Sequence, residues 1–235
     1  MSNFHFRPGT WDDIIFNCVN RHNEYRLPST FAEQDVILDI GAHIGSFGYA
    51  CLSRGAGKVY AYEAMLENFE LAKSNLAQFG DKADVQRAAV WRSDKEVSHL
   101  NFSESTESQN TGGGNVWTPG TWNPVPALSF DKILDTINQP IKLLKLDCEG
   151  SEFPILFTSK KLSMVESICG EYHEFGGSFD SNLIASEFKV DGYEKYTITE
   201  LTNFLIQQGF NVTFTRSQNP DRTPCNLGLF FATRD

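Results

Sequence analysis

The sequence has no run approaching the ~20 apolar residues that a membrane-spanning helix requires, and Met1 to Arg7 holds no apolar signal-peptide core. The expectation is a cytoplasmic protein without a membrane span. Positive charge is scarce, with 20 Lys and Arg against 30 Asp and Glu and a net charge of −10. Such a surface repels phosphate backbones, which argues against nucleic acid as a partner and tolerates neutral or cationic ligands. Cysteine is sparse and odd in number: Cys18, Cys51, Cys148, Cys169 and Cys225 are scattered, with no C-x-x-C. That excludes a disulfide framework or zinc knuckle and leaves reduced thiols. No internal repeat is present. The glycosylation patterns Asn101-Phe-Ser and Asn211-Val-Thr read as chance without a secretion signal.

What is present is an ordinary globular composition, 40% hydrophobic and 21% charged over 235 residues, enough for one domain with a sizeable core. Residues 1–34 form a leading segment, with Trp11, Ile14, Ile15, Cys18 and Val19 at helical spacing and the helix ending before Pro28. From residue 35 on, strand and helix signals alternate. Strands are predicted at Val36–Ile40, Lys58–Glu63, Val85–Val90, Ile141–Asp147, Val165–Tyr172, Phe210–Thr215 and Asn226–Thr233. Helices are predicted at Gly45–Arg54, Met65–Phe79 (Phe69, Leu71, Leu76 and Phe79 inward), Ser129–Ile137 and Thr199–Gln208. This alternation implies a parallel sheet covered on both faces, the last two strands pairing as an antiparallel hairpin at its end. Residues 101–125 have no period, a Gly112-Gly113-Gly114 run and two tryptophans, Trp117 and Trp122. Long unpatterned loops in compact domains are usually functional, so this one reads as a substrate lid, or else as a surface excursion whose tryptophans pack on the body. Gly176-Gly177 reads as a hinge for a second loop.

The run Val36-Ile-Leu-Asp-Ile-Gly-Ala-His-Ile-Gly45 takes a buried strand straight into a glycine turn and a helix. Ligands of open α/β sheets bind at the carboxyl ends of strands, and an acid ending the next strand, here Glu63, suits the two hydroxyls of a ribose. A dinucleotide site wants G-x-G-x-x-G. Here His43 stands where the middle glycine lets a pyrophosphate approach, and Asp39 just before the turn would repel one. Asp39 suits instead a cationic sulfonium or ammonium, which favours S-adenosylmethionine over NAD.

The runs VILDIGAHIGSFG, VYAYEAMLENFELAKSNL and LLKLDCEGSEFPIL resemble the FkbM-type S-adenosylmethionine-dependent methyltransferases. The most specific element is Lys145-Leu-Asp147-Cys-Glu149-Gly150-Ser-Glu152, joined by Val125-Pro-Ala-Leu-Ser-Phe-Asp-Lys-Ile-Leu before it and by Glu171-Tyr-His173-Glu174. The resemblance covers residues 35–235. It implies a three-layer, Rossmann-like class I methyltransferase fold, an α/β sheet of seven mostly parallel strands with an antiparallel last strand. It also implies S-adenosylmethionine as cofactor and methyl transfer to a hydroxyl of a sugar, glycolipid or polyketide-like small molecule. By position, Asp39, Gly41, Ala42, His43 and Gly45 would line the methionine and ribose side and Glu63 would hold the ribose. Ala64 and the Arg87-Ala88-Ala89 turn would border the adenine. His43 stands where many relatives have Asn, and Ala64 where they often have Pro.

A hydroxyl is a poor nucleophile, so a base is expected near the strand ends. His173 is the first candidate, an imidazole with acid neighbours; Asp147 is the second, and Glu149 lies at the adjoining turn. Glu152 also fits as a helix-dipole partner, and Lys145 as an internal ion-pair partner of these acids. Asp147, Glu149 and His173 are also possible metal ligands, but their separation in sequence leaves the expectation at no metal. The competing readings are a non-catalytic nucleoside-binding partner subunit and an NAD-linked oxidoreductase.

Overall fold

The computed structural model describes residues 4–104, 109–117, 123–178, 184, 186 and 188–234. The chain runs α1 (Asp12–Asn20), β1 (Val36–Ile40), α2 (Ser46–Ser53), β2 (Lys58–Glu63), α3 (Leu66–Leu76), β3 (Ala83–Arg87), β4 (Ala89–Trp91) and β5 (His99–Asn101). It continues through β6 (Pro124–Ser129), α4 (Phe130–Ile137), β7 (Ile141–Leu146), α5 (Glu152–Thr158), β8 (Val165–His173), α6 (Ile198–Gln207), β9 (Asn211–Phe214) and β10 (Leu227–Thr233). Seven strands form one sheet in the order β3-β2-β1-β7-β8-β10-β9. Neighbours are parallel except β10, which runs antiparallel to both β8 and β9. The last strand is therefore interior, and β9, not β10, closes the edge. The expected hairpin exists, but it is threaded into the sheet.

Alternation along β1 and β7 sorts side chains onto two cores. Leu38, Ile40, Leu144 and Leu146 pack with Phe130, Phe153 and Leu201 from α4, α5 and α6. Ile37 and Leu143 face Val19, Phe47, Ala50 and Leu76 from α1, α2 and α3. Each fully buried aliphatic contributes roughly 1.5–3 kcal/mol, so two-sided burial is what holds the central strands in register. Asp39 and Lys145 are cross-strand partners in that register and lie on the α1–α2 face.

Two expectations need correction. The single strand at Val85–Val90 is two, β3 and β4, because Ala88 turns its N–H to the Glu63 carbonyl (3.1 Å) and the chain leaves the main sheet. β4 then pairs with β6 in a second sheet of order β4-β6-β5. The inward face of α3 is Asn68, Ala72, Asn75 and Leu76, with Phe69, Leu71 and Phe79 only half-buried. Asn75 is buried because its side chain bridges backbone groups of His5 and Ile44. The leading helix α1 ends at Asn20, before Pro28, with Val19 in the core and Trp11 and Ile14 exposed. The segment beyond α1 is also anchored: Tyr25 and Leu27 are buried in the same core as Ile37.

Candidate active site

The carboxyl ends of β1, β2 and β7 converge on one cavity of about 430 Å³, within the size range of cofactor pockets. After β1 the chain turns at once. The N–H groups of Gly41 and Ala42 both donate to the Tyr62 carbonyl at 3.0 Å. Gly41 has φ +76°, and a Cβ there would lie 1.8 Å from the Asp147 carbonyl oxygen. His43, at φ +51°, continues the left-handed turn and donates its N–H to Glu63 Oε2 at 2.8 Å. The other oxygen, Oε1, accepts from Met65 N at 2.8 Å. Glu63 is thus fixed by two backbone amides with its carboxylate on the cavity wall. Burial pushes its pKa up to about 7 against the opposing pull of those amides.

Asp39 lies beneath the turn and off the cavity wall. It is fully buried, and its Oδ1 is 3.4 Å from Lys145 Nζ. Burial raises its pKa and Lys145 opposes the rise. Lys145 also donates to the Gly41 carbonyl and stands 3.8 Å from Asp147 Oδ2. Burial works against its charge, yet Asp39 and Asp147 outweigh that and hold its pKa above the usual lysine range. The internal pairing expected of Lys145 is present, and its effect is to tie the glycine turn to β7.

The opposite wall is acidic. Asp147, Glu149, Glu171 and Glu24 all line it, and Tyr25 donates its hydroxyl to Asp147 Oδ2 at 2.9 Å. His173 stands behind, its Nε2 3.4 Å from Glu149 Oε2 and 3.8 Å from Glu171 Oε2, its Nδ1 3.7 Å from Glu152 Oε1. Burial works against an imidazolium here, but Glu152, Glu149 and Glu171 outweigh it and hold the His173 pKa well above the usual value. Burial, reinforced by the neighbouring carboxylates, pushes Glu149 up to about 7 and Glu171 up to about 8, with His173 opposing both. Burial and Asp147 likewise take Glu24 to about 7.

Two distant segments roof the cavity. His43 Nε2 meets Thr111 Oγ1 at 2.8 Å, and Thr111 donates to Asp12 Oδ1 at 2.9 Å. Arg7 forks onto both oxygens of the fully buried Asp12. Burial drives the His43 pKa down to about 4, so the ring is neutral at ordinary pH. Trp11 N donates to the Gln109 carbonyl, and Asn68 holds the Thr111 carbonyl. Asn110, Thr111, Gly112, Gly114 and Val116 therefore line the cavity. Trp117 does not: its ring packs on Trp91 and Phe175 at 5.6 and 4.9 Å. Trp122 lies outside the described residues.

Of the residues proposed from sequence, Gly41, Ala42, His43, Glu63, Ala64, Ala88, Asp147 and Glu149 share the cavity wall. Asp39 and Gly45 support the turn from behind, Gly45 at φ +88° with the Leu76 side chain 3.1 Å from where its Cβ would be. His173 is brought to the acids but not to the wall. Glu24, Tyr25 and Thr111 were not singled out. They come from segments without periodicity, and only the buried network reveals them.

The FkbM methyltransferase domain model matches residues 39–212, more than half of the chain. No functionally curated protein matches it. Among solved structures, the FkbM methyltransferase of Methylobacillus flagellatus KT is 14% identical with a TM-score of 0.53; the alignment covers 92% of this chain and 47% of that one, so the chain spans about half the length of that relative. M. capricolum TrmK, solved with S-adenosylhomocysteine, is 9% identical with a TM-score of 0.50, covering 92% and 68% of the two chains. At these identities the likeness is one of fold. The domain match and the glycine turn that opens it place this chain in the FkbM methyltransferase family.

Proposed function

We propose that the chain methylates a hydroxyl of a sugar, glycolipid or polyketide-like small molecule, with S-adenosylmethionine as the methyl donor. The observation that carries the reading is one cavity with two chemically distinct ends: the glycine turn with Glu63 at one, and Asp147, Glu149 and Glu171 at the other. The residues fit the cofactor. Each oxygen of Glu63 already accepts one backbone amide and retains lone pairs for a ribose hydroxyl. Ala64, Ala88 and Ala89 leave a flat, apolar edge for a base. When bound, S-adenosylmethionine supplies an electrophilic methyl group on a sulfonium.

The chain's own work is to hold the acceptor oxygen in line and take its proton. Positioning alone is worth up to ~7–11 kcal/mol in favourable cases. Glu171 reaches the wall beside Asp147 and is the group we assign as base. His173 is held as a cation by its three carboxylates and serves to keep Glu149 and Glu171 from repelling one another. Glu171 takes the proton of the acceptor oxygen, which bound S-adenosylmethionine would methylate, its sulfur leaving as the neutral thioether. An acidic wall also excludes phosphate-rich acceptors, consistent with a small neutral or cationic one.

The test is calorimetric titration with S-adenosylhomocysteine from pH 6 to 8.5. The ribose hydroxyls need an ionised Glu63, whose pKa stands at about 7. Affinity is therefore expected to rise about tenfold between pH 6 and 8 and then level off. His43 is already neutral throughout, and Lys145 and Asp39, the other charged groups facing Glu63, stay paired with each other; Glu24, Glu149 and Glu171 titrate over the same range on the opposite wall, and the comparison with Glu63→Gln isolates the share that belongs to Glu63. For the ligand-free fold the sign is opposite: a carboxyl whose pKa is raised on folding stabilises below its unfolded value and loses that stability as pH rises through about 7. Glu63→Gln should bind about tenfold more weakly at pH 8 and show no such rise. Full affinity in that variant, or no binding in the wild type, would remove the cofactor assignment.

A further inference from the structure

Asp147, Glu149 and His173 each offer one ligand atom, and these atoms lie within 4.8 Å of one another. We propose that this trio binds a divalent cation, of the Mn²⁺ or Mg²⁺ type, at the acceptor end of the cavity. Ion binding stands on the geometry alone; the role we give it, seating the acceptor's oxygen, rests on the methyl-transfer reading above.

The sheet builds the trio. β7 and β8 are adjacent and parallel, with Leu146 opposite Gly170, so Asp147 and His173 leave the same edge. Glu149 sits on the left-handed turn between β7 and α5. Octahedral bonds of ~2.1 Å place ligand atoms about 3–4 Å apart, so small side-chain movements close the set. Two carboxylates and one imidazole are a hard donor set with a borderline nitrogen, which Mn²⁺ accepts well.

A second observation points the same way. His173 is nine-tenths buried, and its Nδ1 has no hydrogen-bond partner. That nitrogen faces Glu152 Oε1 at 3.7 Å. Glu152 is fully buried, accepts the Cys148 N–H on Oε1, and leaves Oε2 without a partner. A carboxylate behind the distal nitrogen of an imidazole is the arrangement that orients a histidine ligand and makes it more basic. It presents Nε2 toward Glu149 and Glu171. Glu24, Asp147, Glu149 and Glu171 also crowd one wall, and Lys145, the cation beneath them, is shared between Asp39 and Asp147. A cation relieves that crowding.

The test uses the full chain, stripped with EDTA, desalted and titrated with MnCl₂, free Mn²⁺ being read by electron paramagnetic resonance. The expected result is depletion of the free signal to a single ion per chain. Glu149→Gln and Asp147→Asn should weaken binding at least ~10-fold, and the surface variant Glu67→Gln should not. Circular dichroism melts of the same preparations check that each variant is folded, and the wild type is titrated with S-adenosylhomocysteine alongside. No depletion in the wild type up to about 1 mM Mn²⁺, or depletion unchanged in Glu149→Gln and Asp147→Asn, overturns the inference. S-adenosylhomocysteine binding without Mn²⁺ binding would do so while leaving the methyl-transfer reading in place.

Discussion

Glu171→Gln is expected to lower turnover by about 10²–10⁴-fold, the usual contribution of a positioned base. The substitution keeps shape and hydrogen-bonding length and removes only the ability to accept a proton. Glu171 lies on the acid wall, away from the two amides that fix Glu63, so affinity for S-adenosylhomocysteine should be unchanged. The loss should therefore fall on kcat rather than on cofactor binding. His173→Asn makes the instructive comparison. It removes the cation between Glu149 and Glu171, and the two raised carboxylates then lose the group that opposes their rise. Its defect should be partial and should deepen the pH dependence of turnover. The measurement is steady-state kinetics on an acceptor found by screening hydroxylated small molecules, sugars first. Turnover in Glu171→Gln within about twofold of wild type, far less than any base supplies, would take the base role from this residue.

The main sheet was legible because its strands announce themselves. Val36–Ile40 and Lys58–Glu63 are the strands as built; the first is buried along its whole length and ends at the Gly41 turn, the second is a β-prone Val-Tyr-Ala-Tyr run ending in Glu63. The Ser129 cap also sits where the sequence places it, accepting from Lys132 N. The departures arise where a distant backbone group overrides a local pattern. Ala88 breaks an otherwise continuous strand because the Glu63 carbonyl takes its N–H. Asn68 and Asn75 turn inward on α3, against the hydrophobic pattern, because Thr111, His5 and Ile44 offer them partners. The same reason hid Thr111 and Tyr25. Neither has a periodic neighbourhood, and each gains meaning only from a contact more than 65 residues away, Thr111 with His43 and Tyr25 with Asp147. Asp39 shows the converse. Its place before the turn suggests a ligand contact, but strand register sets it opposite Lys145, and the pair acts on the turn from below. His173 was the natural base on residue type; three surrounding carboxylates change what that imidazole can do.

Gly41→Ala is expected to cost at least ~3 kcal/mol of stability, because strain and overpacking coincide at this position. A methyl group there would stand 1.8 Å from the Asp147 carbonyl oxygen, and neither backbone is free to yield. Asp147 N is bonded to the Ile40 carbonyl at 3.2 Å, and Ile40 is locked opposite Leu146 in the β1–β7 register. The residue also holds φ +76°, which a side chain occupies at a cost of about 1 kcal/mol. Gly209→Ala separates the two effects. Gly209, just past the end of α6, has φ +86° but nothing within 4 Å of its Cβ position, so it should lose only the conformational part, about 1 kcal/mol. Urea unfolding of both variants reads the difference, and equal losses would mean that the close approach of the turn to β7 is absent in solution. If Gly41→Ala folds at all, it should also bind S-adenosylhomocysteine poorly. The turn carries the His43 N–H that holds Glu63 Oε2, and shifting the turn away from Asp147 withdraws that donor. One missing methyl group thus keeps both ends of the cavity in place: it lets β1 approach β7 closely enough to bring Asp147 to the acid wall, and it sets the angle at which His43 meets Glu63.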